Sequence, residues 1–477
     1  MKVVLTNPPR RKGQRYRAFY PSLGLLYLAS YAETYTQIRN LEINYIEGSA
    51  YDLDEFVKII SKINPDVVGF TFTTPTSPYA YEAINYIKRI FPDILVVCGG
   101  PHATAMPFDV LKNSKTDICV IGEGEVTFLE LLEAYAKHRK FHDINGIAFR
   151  KNDEIIITPS RSLISNLDSI PFPAWSKVDL KKYSGYLLKK SWPDACIMST
   201  RGCPFNCVFC SNPVWKYNMP WFRMRSPENV VKEVEFLGSY GVKEIFDYAD
   251  EFNADIKWAI KVAEAISKSK NDISFKLQLR ADRITEKLVQ AISKMNCWLA
   301  HVGIESGCQA TLNGINKQIS LQQVVKGLQL LKKYGIKTQG FFMILNVWEE
   351  NGQLRFESPE MCRPTLNFVR KLISEELIDN LSWSITTPLP GSRLYDICLR
   401  HNLIDDHMDF SCFDTERLVM NLPGVRANDV AKIKFQGMLL QVYCSILHGN
   451  VNLRNGLILL DKIKTMLKYG FESLFFK

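Results

Sequence analysis

Ser199-Thr200-Arg201-Gly202-Cys203-Pro204-Phe205-Asn206-Cys207-Val208-Phe209-Cys210 is the stretch from which the rest of the chain is best read, because it spaces three cysteines as Cys-x3-Cys-x2-Cys. Thiolates this close in sequence can each ligate one iron of a cubane 4Fe–4S cluster, and the fourth iron is then left open to a substrate. A structural zinc is one alternative, but its tetrahedron needs a second Cys or His pair. No such pair follows, and the next histidine is His301. A disulfide is the other alternative, and it needs an oxidising compartment. The opening run Met1-Lys2-Val3-Val4-Leu5-Thr6-Asn7-Pro8-Pro9 reads as a strand rather than a secretory signal, so reduced thiols and a cytoplasmic location are expected. Cys203, Cys207 and Cys210 are the candidate metal ligands and the candidate catalytic centre.

Outward from that run, a length of 477 residues exceeds what one ordinary core fills and predicts two or three domains. Hydrophobic content of 46% with 23% charged residues is that of a globular protein. No segment approaches the roughly 18 uncharged apolar residues that span a bilayer. The net charge of +9 is dispersed along the chain, which argues against nucleic acid as partner and allows an anionic cofactor, substrate or membrane surface. The other nine cysteines are scattered in mostly apolar surroundings and read as small buried hydrophobes.

Before the triad, up to about residue 138, apolar β-rich runs alternate with amphipathic ones. Strands are predicted at Val3-Val4-Leu5, 43–46, 67–72, 94–98 and 118–121, and helices near 23–35, 52–63, 77–91 and 125–138. Unbroken apolar strands separated by helices predict a doubly wound parallel sheet, which binds ligands beyond the carboxyl ends of its strands. The loops there carry Asn7-Pro8-Pro9, Thr73-Thr74-Pro75-Thr76-Ser77, Gly99-Gly100-Pro101-His102 and Gly122-Glu123-Gly124-Glu125. Their glycines either let a backbone approach a bulky ligand or simply turn a strand into a helix. Residues 139–190 read as a linker with short strands. From about 194 to 402, six strand–helix units begin near Ala195, Lys243, Ile273, Trp298, Lys337 and Leu381. Six parallel units predict a partial β/α barrel with its site at the strand carboxyl ends, and the triad follows the first strand.

The triad, with Phe209 at the aromatic position between its last two cysteines, resembles the radical S-adenosylmethionine (radical SAM) superfamily. The glycine loops together with Pro21-Ser22-Leu23-Gly24 resemble the cobalamin-binding domain that precedes many of its barrels. The resemblance implies a flavodoxin-like cobalamin-type domain at 1–140, a linker at 141–190 containing the proline-aromatic crossing Ile170-Pro171-Phe172-Pro173-Ala174-Trp175, a core barrel at 191–405 and a helical region at 406–477. It implies cluster ligation by Cys203, Cys207 and Cys210, and a corrin pocket bordered by Gly99, Gly100, Gly122, Glu123 and His102. No Asp-x-His-x-x-Gly motif supplies a lower cobalt ligand.

For S-adenosylmethionine, Asp247-Tyr248-Ala249-Asp250-Glu251-Phe252 is similar to the acidic motif that reaches the methionine amine, with Asp250 the first choice and Glu251 the second. Either could instead be a helix N-cap. Arg280 suits the methionine carboxylate or a ribose oxygen. Glu305 and Ser306 of Gly303-Ile304-Glu305-Ser306-Gly307 are implied to line the same site, Glu305 needing a ligand or Arg280 as partner. Lys317 follows that turn. Pro390 of Pro388-Leu389-Pro390-Gly391-Ser392 is implied to border the adenine. The chain departs from the Gly-x-Pro-Gly-Glu-Thr of relatives at Asn346-Val347-Trp348-Glu349-Glu350, which leaves that loop's adenine contact open.

Leu460, Ile463, Leu467, Phe471 and Leu474 recur at helical spacing opposite Asp461, Lys464, Lys468 and Glu472. Such a helix would dock on the barrel or rest on a membrane surface. The implied cofactors are a 4Fe–4S cluster, S-adenosyl-L-methionine and cobalamin. The implied partners are a small-molecule or lipid-like substrate and an external one-electron reductant such as ferredoxin or flavodoxin. The leading expectation is radical C-methylation of an unactivated carbon. Ring closure or carbon–carbon bond formation on a hydrophobic lipid or tetrapyrrole-like substrate is the second, and an iron–sulfur redox sensor is the third.

Overall fold

The computed structural model describes residues 1–13, 18–152, 154–185, 188–269, 271–405 and 408–449. Seven strands form the first sheet: β1 (Lys2–Thr6), β2 (Glu42–Ile46), β3 (Val67–Thr71), β4 (Leu95–Gly99), β5 (Ile118–Val120), β6 (Ile147–Lys151) and β7 (Glu154–Ile157), in the order β2-β1-β3-β4-β5-β6-β7. The first five are parallel. Their order reverses between β1 and β3, and a crevice for ligands opens at such a switch point.

The strands lack polar alternation because helices cover both faces. Val4, Val68, Phe70 and Val96 pack with Phe56, Ile60, Ile84 and Ile87 on one face. Val3, Leu5, Val67 and Val97 pack with Leu25, Ala29, Phe128 and Leu131 on the other. The helix Leu53–Ile63 starts at a capping box in which Asp52 accepts from Glu55 N and Glu55 accepts from Asp52 N, both at 3.0 Å. The 139–190 stretch is more than a connector. Its strands β6 and β7 add an antiparallel hairpin to the sheet, and Trp175 inserts into the core of the second unit.

That second unit is built on β8 (Asp194–Ile197). A small ladder of β9 (Thr200–Arg201) and β10 (Arg223–Met224) brackets the cysteine loop. Then follow β11 (Glu244–Asp247), β12 (Ser274–Leu279), β13 (Cys297–Glu305), β14 (Lys337–Ile344), a hairpin of β15 (Val347–Glu350) and β16 (Gln353–Phe356), and β17 (Asn380–Ile385). The large sheet runs β17-β14-β13-β12-β11-β8, all parallel. Within this sheet each strand pairs with the sheet strand that precedes or follows it in the chain. The helices between them bury one face: Val234, Leu237, Val262, Ile266, Leu288, Ile292, Leu328 and Leu331 lie in one continuous core. Ser226 caps the first of these helices by accepting from Asn229 N at 3.1 Å, with Pro227 in its first turn. The arc stays open between β8 and β17. The helix Ala427–Leu447 lies on the β17 side, where Cys444 joins the core.

Candidate active site

A cavity of about 250 Å³ lies where the two sheets present their carboxyl ends to each other. Leu5, Phe70, Thr71, Val97, Val120, Gly99, Gly100, Gly122 and Glu123 form its wall on the first sheet. Met198, Arg201, Gly202, Trp215, Arg223 and Asp250 form it on the barrel side. The first wall is mostly backbone and apolar carbon, with Thr71 and Glu123 as polar members. Gly122 has φ +84°, and a Cβ there would overlap the hydroxyl of Tyr217 from the post-triad loop. That hydroxyl also accepts from Glu123 N at 3.2 Å.

His102 is behind this wall, not on it. Its buried ring has Nδ1 3.1 Å from Thr74 Oγ1 and Nε2 2.9 Å from the Tyr81 hydroxyl and 3.3 Å from Asp109 Oδ2. With both nitrogens engaged, the imidazole fastens the loop to its neighbouring helices. Glu123 does line the cavity, but its carboxylate is committed elsewhere. Arg201 Nη1 lies 3.1 Å from Glu123 Oε1, and Arg223 holds both oxygens at 2.8 and 2.9 Å. Arg201 also reaches Glu125 at 2.6 Å and lies 5.2 Å over the Tyr27 ring. Burial pushes the Glu123 carboxyl up, yet the two guanidiniums hold it below the usual range. This four-charge clamp joins the first domain to the residues flanking the cysteine loop.

The loop itself is pinned at many points. Gly202 has φ +81° and its Cβ position is filled by the Trp221 carbonyl; its N–H donates to Asp250 Oδ2 at 2.6 Å. Cys203 N donates to Asn212 Oδ1 at 3.2 Å and Asn212 N to Cys210 Sγ at 3.4 Å. Val208 N donates to Ile315 O, and Val208 O accepts from Leu394 N, both at 2.9 Å. Burial, with lesser contributions from nearby acidic groups and the other thiols, pushes Cys203 up to about 12 and Cys210 up to about 11. Thiols raised in this way ionise only against a strongly cationic body, which an iron–sulfur core supplies. Among the described residues no three His, Cys, Asp or Glu side chains gather closely enough to hold one metal ion; a cubane, whose irons stand apart, asks for less convergence.

Around the triad the structure redistributes the expected roles. Glu251 Oε1 is buried with no hydrogen-bond partner, and burial raises its carboxyl to about 7 despite Lys317 and Arg280. Asp250 by contrast borders the cavity and already accepts from Gly202, so Glu251 is the carboxylate better poised for a methionine ammonium. Arg280 is not free for a carboxylate or ribose. Its guanidinium carbon lies 3.8 Å from the Phe205 ring centroid, Nε 2.8 Å from Asp282 and Nη1 3.9 Å from Cys207 Sγ, while Nη2 donates to the Lys317 carbonyl.

Glu305 pairs with Lys317 rather than Arg280, at 2.8 Å. Burial disfavours that ammonium most, but the charge and hydrogen bond of Glu305 together with the nearby Cys207 outweigh it and raise Lys317 to about 12. The ammonium lies 5.9 Å from the Phe209 ring. Ser306 lies in a hydrogen-bonded network behind the strand end. The β13 register slips between Gly303 and Glu305, and Glu305 has φ +69°. The Ser306 hydroxyl lies 3.0 Å from Thr365 Oγ1 and 3.4 Å from Glu357 Oε1 in a buried network. Pro390 is buried, and the adjoining Gly391 packs on Val214 and Ala105.

Four residues of this constellation carry no motif signal. Arg201, Arg223 and Asn212 are ordinary polar residues until the ladder brings them together. Glu357 is hidden by the β15–β16 hairpin: its N–H donates to Asn346 O at 2.8 Å and Asn346 N donates to its Oε2 at 3.0 Å. Glu357 thus lies beside Asn346 in space although eleven positions separate them in the chain.

The radical SAM superfamily model matches residues 197–354 and the B12 binding domain model residues 14–132. An uncharacterized methyltransferase of Pyrococcus horikoshii is 33% identical over 439 residues, covering 91% of this chain and 90% of that one. The chain belongs to the cobalamin-binding radical SAM enzymes. This radical SAM enzyme is also 31% identical over 410 residues to the anaerobic magnesium-protoporphyrin IX monomethyl ester cyclase of Rubrivivax gelatinosus, covering 83% of this chain and 69% of the cyclase. Its fold is shared with the cobalamin-dependent S-adenosylmethionine radical enzyme OxsB, with a TM-score of 0.71 at 17% identity over 99% of this chain and 72% of OxsB. Its cofactors are a 4Fe–4S cluster, S-adenosylmethionine and cobalamin, and it requires a reductant and a substrate. Among the described residues no helix is long and apolar enough to cross a membrane. The amphipathic stretch from Leu460 to Leu474 lies outside the described residues.

Proposed function

We propose that this radical SAM enzyme abstracts hydrogen from an unactivated carbon of a small or lipid-like substrate and methylates that carbon. The observation that carries the reading is the shared cavity: the glycine loops of the cobalamin-type domain and the flank of the cysteine loop line one space, so a methyl carrier and a radical source would meet there. When bound, the cluster supplies one electron and an open iron for S-adenosylmethionine, and cobalamin supplies the methyl carrier.

The chain's own residues do the positioning. Cys203, Cys207 and Cys210 hold the cluster. Glu251 accepts the methionine ammonium through its unpartnered oxygen, with Asp250 fixing the loop start. The Glu305–Lys317 pair sets the charge at the strand ends, and Phe209 and Pro390 give the apolar boundary. Gly99 leaves the end of the first sheet open to a corrin, Gly100 and Gly122 make room for Thr71 and Tyr217 beside it, and the clamp at Glu123 excludes water from the seam between the domains. A ferredoxin- or flavodoxin-type carrier delivers the electron.

Similarity to the magnesium-protoporphyrin cyclase favours a second reading, radical ring closure on a tetrapyrrole-like substrate. An anaerobic assay separates the two, with extracts of the source cells as substrate. Methylation yields S-adenosylhomocysteine together with 5′-deoxyadenosine and a product heavier by one methylene. Ring closure yields 5′-deoxyadenosine with little S-adenosylhomocysteine and would sink the methylase reading.

A further inference from the structure

We infer that Arg280 is a positioning residue that raises the reduction potential of the cluster. The inference rests on the cluster-ligand role given above to Cys203, Cys207 and Cys210. Iron–sulfur potentials respond to local charge, to hydrogen bonds on the ligating sulfurs and to solvent exposure, and Arg280 acts through the first two. Its Nη1 lies 3.9 Å from Cys207 Sγ, within the reach of an N–H···S hydrogen bond, and the residue is 3% exposed. Cys207 is itself buried.

The guanidinium cannot swing away. It is stacked on Phe205, two residues before Cys207, and Nη2 donates to the Lys317 carbonyl. Its backbone is locked as well, since Arg280 N donates to Asn253 Oδ1 at 2.9 Å and Asn253 Nδ2 to Arg280 O at 3.0 Å. Asp282 stands 2.8 Å from Nε as an ion pair without a hydrogen bond, and Nη1 donates to the sulfur. Stacking on a ring and donating a fixed fork are what a guanidinium does and an ammonium does not.

Reduction adds one electron from a low-potential donor, converting [4Fe–4S]²⁺ to [4Fe–4S]⁺ with no bond made or broken. The added negative charge spreads onto the thiolates. A buried cation donating to one of them stabilises the reduced state more than the oxidised one, because in low dielectric the attraction grows with the charge. Removing it leaves the oxidised cluster in place but harder to reduce.

The test is an anaerobic spectroelectrochemical titration of reconstituted full-length protein without S-adenosylmethionine, so that ligand contacts of Arg280 contribute nothing. For Arg280→Gln with wild-type iron and sulfide content, the ratio of reduced to oxidised cluster at a fixed donor potential falls about tenfold, a shift of ~59 mV to more negative potential. Arg280→Lys, which keeps the charge and loses the fork, falls between. If Arg280→Gln assembles no cluster, Arg280→Lys decides alone and must titrate below wild type. A full cluster with an unshifted potential in either variant overturns the inference. Failure of the wild-type protein to assemble a cubane instead overturns the functional reading.

Discussion

The two sheets face each other across one cavity but build their facing ends in opposite ways. The rim of the first sheet is aliphatic carbon and glycine backbone, with its carboxylates Glu123 and Glu125 drawn off into the clamp. The rim of the barrel is crowded with buried charge: Glu251, Arg280, Glu305 and Lys317 around three thiols. An apolar cradle holds a large ring through contact area, whereas a zwitterion needs opposed fixed charges. Under the proposed function, cofactor shape and cofactor charge would be handled by different domains, and each half should therefore fail separately.

The most severe break is Cys207→Ala. It removes the central ligand of the tripod, so anaerobic reconstitution followed by iron and sulfide analysis should find no cubane, and 5′-deoxyadenosine should be undetectable by mass spectrometry. Cobalamin uptake by the first domain should survive. Lys317→Met attacks the charged rim by leaving Glu305 buried without its partner, and breaking one side of a buried pair costs about 3–5 kcal/mol. Denaturant unfolding should show that loss, and the double variant Glu305→Leu with Lys317→Met should recover part of it.

Gly122→Val attacks the apolar rim. A β-branched residue at φ +84° is strained, and its Cβ meets Tyr217. Cobalamin affinity, read from the bound absorbance spectrum, should fall at least roughly tenfold, which corresponds to ~1.4 kcal/mol, while cluster content, touched only through the displaced Tyr217, should fall less. Equal loss of both cofactors would show that the two rims are not independent.

Much of the scaffold was legible because burial on both faces leaves a plain signature. Val67-Val68-Gly69-Phe70 and Leu95-Val96-Val97-Cys98 are unbroken apolar runs, and the observed strands fall on them. All six barrel strands begin within a residue or so of their expected starts. The β6–β7 hairpin was less legible, since its outer strand carries exposed ends and its sheet partner is not evident from local pattern.

The site divides the same way. The triad is a local motif and can be read directly. The clamp joins residues 78 and 100 positions apart in the chain, and no local pattern announces such a pairing. The surroundings of His102, Ser306 and Arg280 were illegible for one shared reason: their residue types suit the chemistry, but only the fold shows that Thr74, Thr365 and Phe205 engage them.

The mildest test concerns the seam. Glu123→Gln weakens the clamp without emptying it, at a cost of about 1–3 kcal/mol. Because the folded carboxyl lies below its unfolded value, its contribution is fully present above the unfolded value, near 4.3, and is lost as pH falls through the lower folded one. The difference in melting temperature between wild type and Glu123→Gln should therefore be largest near pH 7 and shrink below about pH 4.

The central claim is that cobalamin and the cluster occupy one continuous site across the domain seam. Electron paramagnetic resonance on protein loaded with both the reduced cluster and cob(II)alamin tests it most directly. The account predicts magnetic coupling between the two centres that disappears in Gly122→Val. Two fully bound centres whose spectra simply add, with no coupling, would contradict it.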